Sequence, residues 1–523
     1  MNIANWLHQS ARLHPELPAL RFGEQLHASY AEFAARVAAL ASWMKHQQGV
    51  GVRDRVAIFM ANRCEYLEVA YAAWWIGAVC VPINHKLHPR EAGWIIDDAE
   101  AALLVADTEE VLNAVLDHVE GSNTGCLAVD GEVYQHIVNT ACTGDVCARI
   151  DYEPPMRLDE EALAWLFYTS GTTGKPKGVK LSHGNLVAMS LCYPGEIHPV
   201  GPGDATLYAA PMSHGAGLYN FIFVRHAAQH IVPASRAFVP AEIYQLARQH
   251  GSVSMFAAPT MVNRLVTAAI ETGQRGEGIR TIVYAGGPMY LADLDRAVSV
   301  LGNRFAQIYG QGECPMTITV LPQSVIGDIA HPQAAKRRAS VGIPHACVDV
   351  CITDGDGQIL PPHHMGEVRV RGPVVMQGYW RDPVTSAETI EEGWLKTGDV
   401  GIMDEDGFLT LTDRIKDLII SGGSNVYPRE VEEVLVSHPS VAEAAVVSQP
   451  DPEWGEAVVA IIVPEPGAAS PTAQALDAWC RQQLAVFKCP KQYRRCEALP
   501  KNGHGKISKA ELRAQVADMS LLG

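Results

Sequence analysis

The residues best suited to chemistry lie in Tyr168-Thr-Ser-Gly-Thr-Thr-Gly-Lys-Pro-Lys-Gly178. Apolar Leu166 and Phe167 lead into Thr169, Ser170, Gly171, Thr172, Thr173, Gly174 and Lys175, and Lys177 follows Pro176. Glycines let backbone N–H groups approach phosphate oxygens, and the hydroxyls add donors. Lys175 and Lys177 supply positive charge for a polyphosphate. Pro176 follows Lys175, so this is not the GK[ST] pattern that opens a helix in Walker-type loops. Read alone, the segment predicts a loop that cradles phosphates and nothing more specific.

Seven further segments follow: Ala210-Pro-Met-Ser-His214, Tyr284-Ala-Gly-Gly-Pro-Met289, Tyr309-Gly-Gln-Gly-Glu313, Lys396-Thr-Gly-Asp399, Asp413-Arg-Ile-Lys-Asp417, Gly422-Gly-Ser-Asn425 and Pro500-Lys-Asn-Gly-His-Gly-Lys506. With the phosphate loop, in this order, they resemble the adenylate-forming superfamily of acyl-CoA synthetases, non-ribosomal adenylation domains and beetle luciferases. The resemblance covers nearly the whole chain and points to the acyl-CoA synthetase branch.

The resemblance implies a role for each segment. Gly286, Gly287 and Pro288, with Gln307, Ile308, Tyr309 and Gly310, would wall the adenine and acyl pocket. Tyr309 offers a flat stacking face. Asp399 would accept from the ribose hydroxyls, with Arg414 assisting. Glu313 is the expected Mg2+ ligand and Thr169 a second, since Mg2+ takes one or two protein oxygens when phosphates complete its shell. His214 resembles a gate beside the acyl pocket. Lys506 would bridge the substrate carboxylate and the α-phosphate as charge develops. Lys416 matches a hinge, and Gly422 and Gly423 a channel for the thiol of coenzyme A.

The implied reaction is a two-step acid–thiol ligation using ATP, Mg2+ and coenzyme A. A carboxylate attacks the α-phosphate, and the acyl-adenylate then passes to the thiol. The glycines near Gly312 and the segment Met212–Asn220 suggest an apolar pocket for an aromatic, cyclic or medium-chain acid. Two alternatives stay open: loading of a carrier protein, and a non-catalytic nucleotide-binding module. The basic run from Lys488 to Arg495 either meets the phosphates of coenzyme A or is a solvated face. One departure stands out. The family places Thr before its metal-ligating Glu, whereas this chain has Gly312. Either water or Thr317 replaces the lost hydroxyl, or the missing bulk widens the pocket.

These residues need rigid elements to hold them. Up to about Val119 a helical pattern such as Tyr30–Met44 alternates with β-branched runs such as Arg55–Phe59, which implies βαβ units and a mostly parallel sheet. Gly121–Pro155 is weakly patterned and reads as a connector. Alternation resumes from Ala162 to Asp349, and shorter strands around Glu367–Val370 and Phe408–Leu411 suggest a small β subdomain. Glu430–Val436 reads as an amphipathic helix and Val441–Val447 and Ala457–Val463 as strands. The expected class is α/β. A large N-terminal domain (residues 1–413) has two α/β subdomains plus a small β subdomain, and a small mobile α+β C-terminal domain (414–523) follows.

At 523 residues and 48% hydrophobic content, the chain has ample material for such cores. A formal charge of -17 argues against a nucleic-acid partner. No run of about 18 apolar residues predicts a membrane span. The twelve cysteines show no zinc spacing and read as reduced, mostly buried thiols of a cytoplasmic protein. The small-molecule acid and coenzyme A are the expected partners, and a homodimer is left open.

Overall fold

The computed structural model describes the chain except residues 122–123, 142–151, 170–175, 288, 415–416, 418, 422–423, 452–453, 468–469, 502–506 and 523. Two sheets dominate the N-terminal part. One has nine strands in the order Ile343–Pro344, Thr319–Leu321, Phe305–Tyr309, Ile279–Tyr284, Val253–Ala257, Ala205–Leu207, Gln229–Val232, Pro18–Phe22 and Gln25–Ser29. Its interior pairs are parallel, and its edges turn antiparallel at Thr319–Leu321 and Gln25–Ser29. The other runs Gly125–Ala128, Ala101–Ala106, Arg55–Met60, Val79–Asn84, Leu163–Thr169 and Lys177–Ser182. Only its last pair is antiparallel. Strands covered on both faces read as unbroken apolar runs, and every residue of Val79–Asn84 is buried.

The helix that follows Arg55–Met60 is correspondingly buried all round. Cys64–Trp75 buries every residue but Glu65, and Trp74 stacks on Trp165 with ring centroids 5.9 Å apart. Burying each such side chain contributes roughly 1.5–3 kcal/mol or more before entropy is counted. Local signals set where helices begin. Ser29 and Glu32 close a capping box ahead of Tyr30–His46. Ser182 and Asn185 do the same for His183–Glu196, which starts directly off the strand that leaves the phosphate loop.

The expected connector is a correction. Gly125–Ala128 adds an edge strand parallel to Ala101–Ala106, and Glu132–Ala141 is a helix whose Tyr134 and Val138 are buried. A four-residue strand is too short to show periodicity; its partner strand, not its own pattern, gives it burial.

A five-stranded sheet forms the small β subdomain: Asp349–Thr353, Met365–Arg371, Trp394–Met403 and Ile390–Glu391, with Leu409–Arg414 also on Trp394–Met403. The C-terminal part has its own six-stranded sheet, built around Val441–Asp451 and Gly455–Pro464, with helices Pro428–Val436, Ala473–Arg481 and Lys509–Gln515. The fold is thus the expected α/β arrangement with a small α+β unit. Among the described residues no helix is long and apolar enough to cross a membrane.

Candidate nucleotide and acyl-activation site

Parallel sheets present ligand sites at the carboxyl ends of their strands. Thr169 ends its strand immediately before the phosphate loop; Tyr284 and Tyr309 end neighbouring strands of the nine-stranded sheet. The strand after the loop, Lys177–Ser182, runs back antiparallel, with Thr169 opposite Lys177. It therefore returns as a hairpin and does not open a helix, as Pro176 predicts. Ser170, Gly171, Thr172, Thr173, Gly174 and Lys175 lie outside the described residues, as do Pro288, Lys416, Gly422, Gly423 and Lys506.

Asp399 is the best-defined polar centre. It is 6% exposed, and its Oδ2 accepts from the Tyr309 hydroxyl at 2.6 Å and from Gln311 Nε2 at 2.6 Å. Gln311 also donates to the Thr397 carbonyl at 2.9 Å, tying the loop after Tyr309 to the small β subdomain. Arg414 is the register partner of Asp399 on the neighbouring strand. Burying a carboxylate demands such donors. Gln311 was not singled out from sequence; only the fold carries it to Asp399.

Glu313 lies on the same loop. Its Oε1 accepts from the Tyr379 hydroxyl at 2.8 Å, and Lys177 Nζ sits 5.2 Å from the centre of the Tyr379 ring. Tyr379 arrives because Gln377–Trp380 pairs with the hairpin: Lys180 N–H donates to the Gly378 carbonyl at 3.0 Å and Trp380 N–H to that of Gly178 at 2.7 Å. A Cβ on Gly178 would lie 3.1 Å from the Tyr168 ring and 3.2 Å from Trp380 Cβ, so glycine permits this close approach. Burial, with a 2.6 Å bond to Asp98, keeps the Tyr168 hydroxyl protonated far above its ordinary range. Tyr168 is therefore a structural donor here.

Gly310 and Gly312 have different reasons to lack a side chain. A Cβ on Gly310 would strike the backbone of Met316 at 2.4 Å, so the turn itself requires glycine. A Cβ on Gly312 would meet Thr169 Cγ2 at 2.6 Å and Phe167 Cδ1 at 3.1 Å. The space of the family's threonine is thus filled by neighbours, and the pocket is not widened there. Thr317 does not stand in either. It is 2% exposed and its hydroxyl donates to the Pro315 carbonyl at 2.8 Å.

His214 packs against Phe167, with ring centroids 4.8 Å apart, so it does lie beside the phosphate-loop strand. Gly217, just beyond, could carry no side chain, because a Cβ would fall 1.8 Å from the Met212 carbonyl oxygen. Gly286 has φ 86°, and with Gly287 it is exposed at the end of its strand. Gln307 and Ile308 are buried, and Gln307 Oε1 accepts from the Tyr284 hydroxyl at 3.2 Å. Gln307 is thus engaged within the sheet end. The basic run is also committed in part. Lys488 pairs with Glu430 at 2.6 Å, and Arg494 donates to the Met519 carbonyl at 2.8 Å.

This arrangement matches a known family. The AMP-binding enzyme family covers residues 7–380 and the AMP-binding enzyme C-terminal domain residues 430–506. The chain belongs to the AMP-binding enzyme family, within its adenylate-forming acyl-CoA synthetase branch. It is 34% identical over 511 residues to a feruloyl-CoA synthase of Amycolatopsis sp, covering 98% of each chain. It is also 34% identical, over 469 residues, to the fatty acid–[acyl-carrier-protein] ligase ScoC of Streptomyces coeruleorubidus, covering 89% of this chain and 87% of that one. The structure resembles that of the o-succinylbenzoate CoA synthetase of Bacillus subtilis in complex with its acyl-adenylate intermediate. The TM-score is 0.82, with 30% identity and 99% of each chain covered.

Proposed function

We propose that the protein is an AMP-forming ligase that joins an aromatic carboxylic acid to coenzyme A. The observation that carries this is the meeting of Thr169, Glu313 and the Tyr309–Gln311–Asp399 centre where two parallel sheets present their strand ends. The acid's carboxylate oxygen attacks the α-phosphorus of ATP, forming an acyl-adenylate and releasing pyrophosphate. The thiolate of coenzyme A then attacks the acyl carbonyl carbon, forming the thioester and releasing AMP.

Each residue has a part in this reading. Asp399 accepts from the ribose hydroxyls, with Arg414 beside it, and Tyr309 and Gln311 hold its carboxylate still. The loop Ser170–Lys175 cradles the phosphates, and Gly286, Gly287 and Pro288 border the adenine. Lys506 neutralises charge shared by the carboxylate and α-phosphate. Glu313 and Thr169 would hold Mg2+. They fit it as two oxygen donors on segments that touch at Gly312. When bound, that ion offsets the charge of the phosphates. We place the domain boundary at 413/414 and the turning point at Lys416, so that the C-terminal domain presents Lys506 first and Gly422-Gly423 second. His214 gates the acyl pocket. The acid is assigned as aromatic because the feruloyl and o-succinylbenzoate enzymes bear ring-containing names. The Phe167–His214 contact gives such a ring an apolar border. We assign the protein to the cytoplasm, which supplies ATP and coenzyme A, and light scattering tests whether it forms a homodimer.

The test follows AMP release and thioester formation over aryl acids, medium-chain acids and acetate. We expect kcat/KM for aryl acids at least about tenfold above that for acetate, a difference of about 1.4 kcal/mol. Lys506→Ala should abolish pyrophosphate exchange. Absence of any coenzyme A thioester across the panel overturns the reading. A second reading, transfer to a carrier protein, is favoured by the match to the carrier-protein ligase and by the engagement of Lys488 and Arg494. The same assay with a holo-carrier protein in place of coenzyme A separates the two.

A further inference from the structure

Away from the reaction centre, Cys192 and Cys347 meet across 155 residues, with Sγ atoms 3.0 Å apart. Cys192 lies near the end of the helix His183–Glu196. Cys347 lies in the short link between Ile343–Pro344 of the nine-stranded sheet and Asp349–Thr353 of the small β subdomain. We propose that Cys192 and Cys347 are a redox-active dithiol, converted to an intramolecular disulfide by hydrogen peroxide.

The surroundings suit that chemistry. Cys192 is 9% exposed and Cys347 more open, so an oxidant reaches Cys347 first and Cys192 is the resolving thiol. Cys192 donates its S–H to Cys347, which holds the Cys347 thiol below its ordinary range and favours the nucleophilic thiolate. A polar pair, His345 and Glu196, adjoins them. His345 is 2% exposed, its Nδ1 bonds Glu196 Oε2, and one ligand atom from each of Cys192, Glu196 and His345 lies within 4.8 Å of the others. Those three types also invite a metal ion. However, Glu196 already uses its other oxygen to accept from Ala346 N–H at 2.7 Å, and Cys347 is not one of the three. Sulfur-to-sulfur contact is the stronger feature.

The Cys347 thiolate attacks a peroxide oxygen; an S–O bond forms, the O–O bond breaks, and the leaving hydroxide takes a proton to become water. Cys192 sulfur then attacks the sulfenic sulfur; the S–S bond forms, the S–O bond breaks, and a second water leaves. Two thiols lose two electrons and one peroxide gains them. The bond would tie the helix that follows the phosphate hairpin to the link that joins the sheets. His345 N–H in that link bonds the Ile318 carbonyl at 3.2 Å, in the segment just after Glu313.

The test treats the full-length protein with stoichiometric hydrogen peroxide, blocks remaining thiols with N-ethylmaleimide in denaturant, and maps peptides by mass spectrometry. We expect a Cys192–Cys347 cross-linked peptide, reversed by dithiothreitol, forming at least tenfold faster than loss of the buried Cys64 and Cys80 thiols. The oxidised protein should melt several degrees higher, because a 155-residue loop is closed. Cys192→Ala should leave a dimedone-reactive sulfenic acid on Cys347. Finding both cysteines singly alkylated in the oxidised wild type overturns the proposal. So does native mass spectrometry showing one zinc ion per chain that shields them until chelated. Neither depends on a variant that folds, and both are independent of the acid–thiol ligase reading.

Discussion

Replacing Gly312 by the family's threonine pits two physical effects against each other. The regained hydroxyl could donate to a phosphate oxygen and stabilise by about 1 kcal/mol, up to roughly tenfold in rate. Against this, the new Cβ would sit 2.6 Å from Thr169 Cγ2 and 3.1 Å from Phe167 Cδ1, where carbon atoms prefer about 3.5–4.0 Å. Thr169 is β-branched and stiff at χ1, and Phe167 is backed by His214 at 4.8 Å, so neither yields freely. Overpacking of this kind costs about 1–3 kcal/mol. Relief by rotating Thr169 would also move the hydroxyl assigned to Mg2+. Set against the gain of about 1 kcal/mol, the clash leaves a net loss of up to about 2 kcal/mol, so we expect Gly312→Thr to lower kcat/KM, by up to about 30-fold. Thr169→Ser removes the offending methyl and keeps the hydroxyl, so alone it should change kcat/KM less than about threefold, under about 0.7 kcal/mol. The double variant should recover most of the loss, with a coupling energy of about 1 kcal/mol or more. Pyrophosphate exchange on the four proteins, with melting temperatures as a folding control, measures the cycle. A single Gly312→Thr variant as active as the parent, or additivity with Thr169→Ser, would refute the filled-space account.

Asp399→Asn can still turn its carbonyl oxygen to the two donors that share Oδ2, but it loses the charge that strengthens both bonds. The loss of charge-assisted bonding, about 1.5–3 kcal/mol, should raise the KM for ATP by roughly 10- to 150-fold; Tyr309→Phe should raise it by about fivefold, near 1 kcal/mol. Tyr379→Phe removes the bond that orients Glu313, so the Mg2+ concentration for half-maximal rate should rise by roughly 10- to 150-fold, the worth of one hydrogen bond to a charged group at about 1.5–3 kcal/mol. An unchanged Mg2+ dependence would separate Glu313 from the metal. Acid should destabilise the fold through His183 and His230, each pushed by burial to about 3. Below the unfolded histidine value near 6.5 the unfolded chain takes up protons that the folded one refuses. The stability these groups confer is therefore full above about pH 6.5 and falls toward pH 3, by up to about 1.4 kcal/mol per pH unit for each. Urea unfolding at pH 7.5, 6 and 5 measures the slope, and His230→Gln should remove one histidine's share.

What could be read from the sequence was what chain neighbours dictate. The strand that ends at Thr169 was legible because an apolar run adjoins hydroxyl and glycine residues within one short window; the strand returning from Lys177 was not read. The helix read over Tyr30–Met44, observed as Tyr30–His46, was legible from its run of helical pattern. Features made by distant chain were not. Tyr379 is 66 residues from Glu313, and Cys347 is 155 from Cys192. Gly125–Ala128 becomes a strand only because Ala101–Ala106 lies open beside it.

Gly312 joins both kinds of information. Its departure from the family pattern is visible in five residues, but its meaning depends on Phe167 and Thr169, more than 140 positions earlier. A missing side chain creates space only if its neighbours stand still. Here Thr169 occupies that space, while Thr317, the nearest threonine in the sequence, is turned to Pro315. The substitution therefore trades a hydroxyl on the Glu313 loop for closer packing of that loop on the phosphate strand. Any effect on substrate choice would have to act through the position of Thr169, not through added volume.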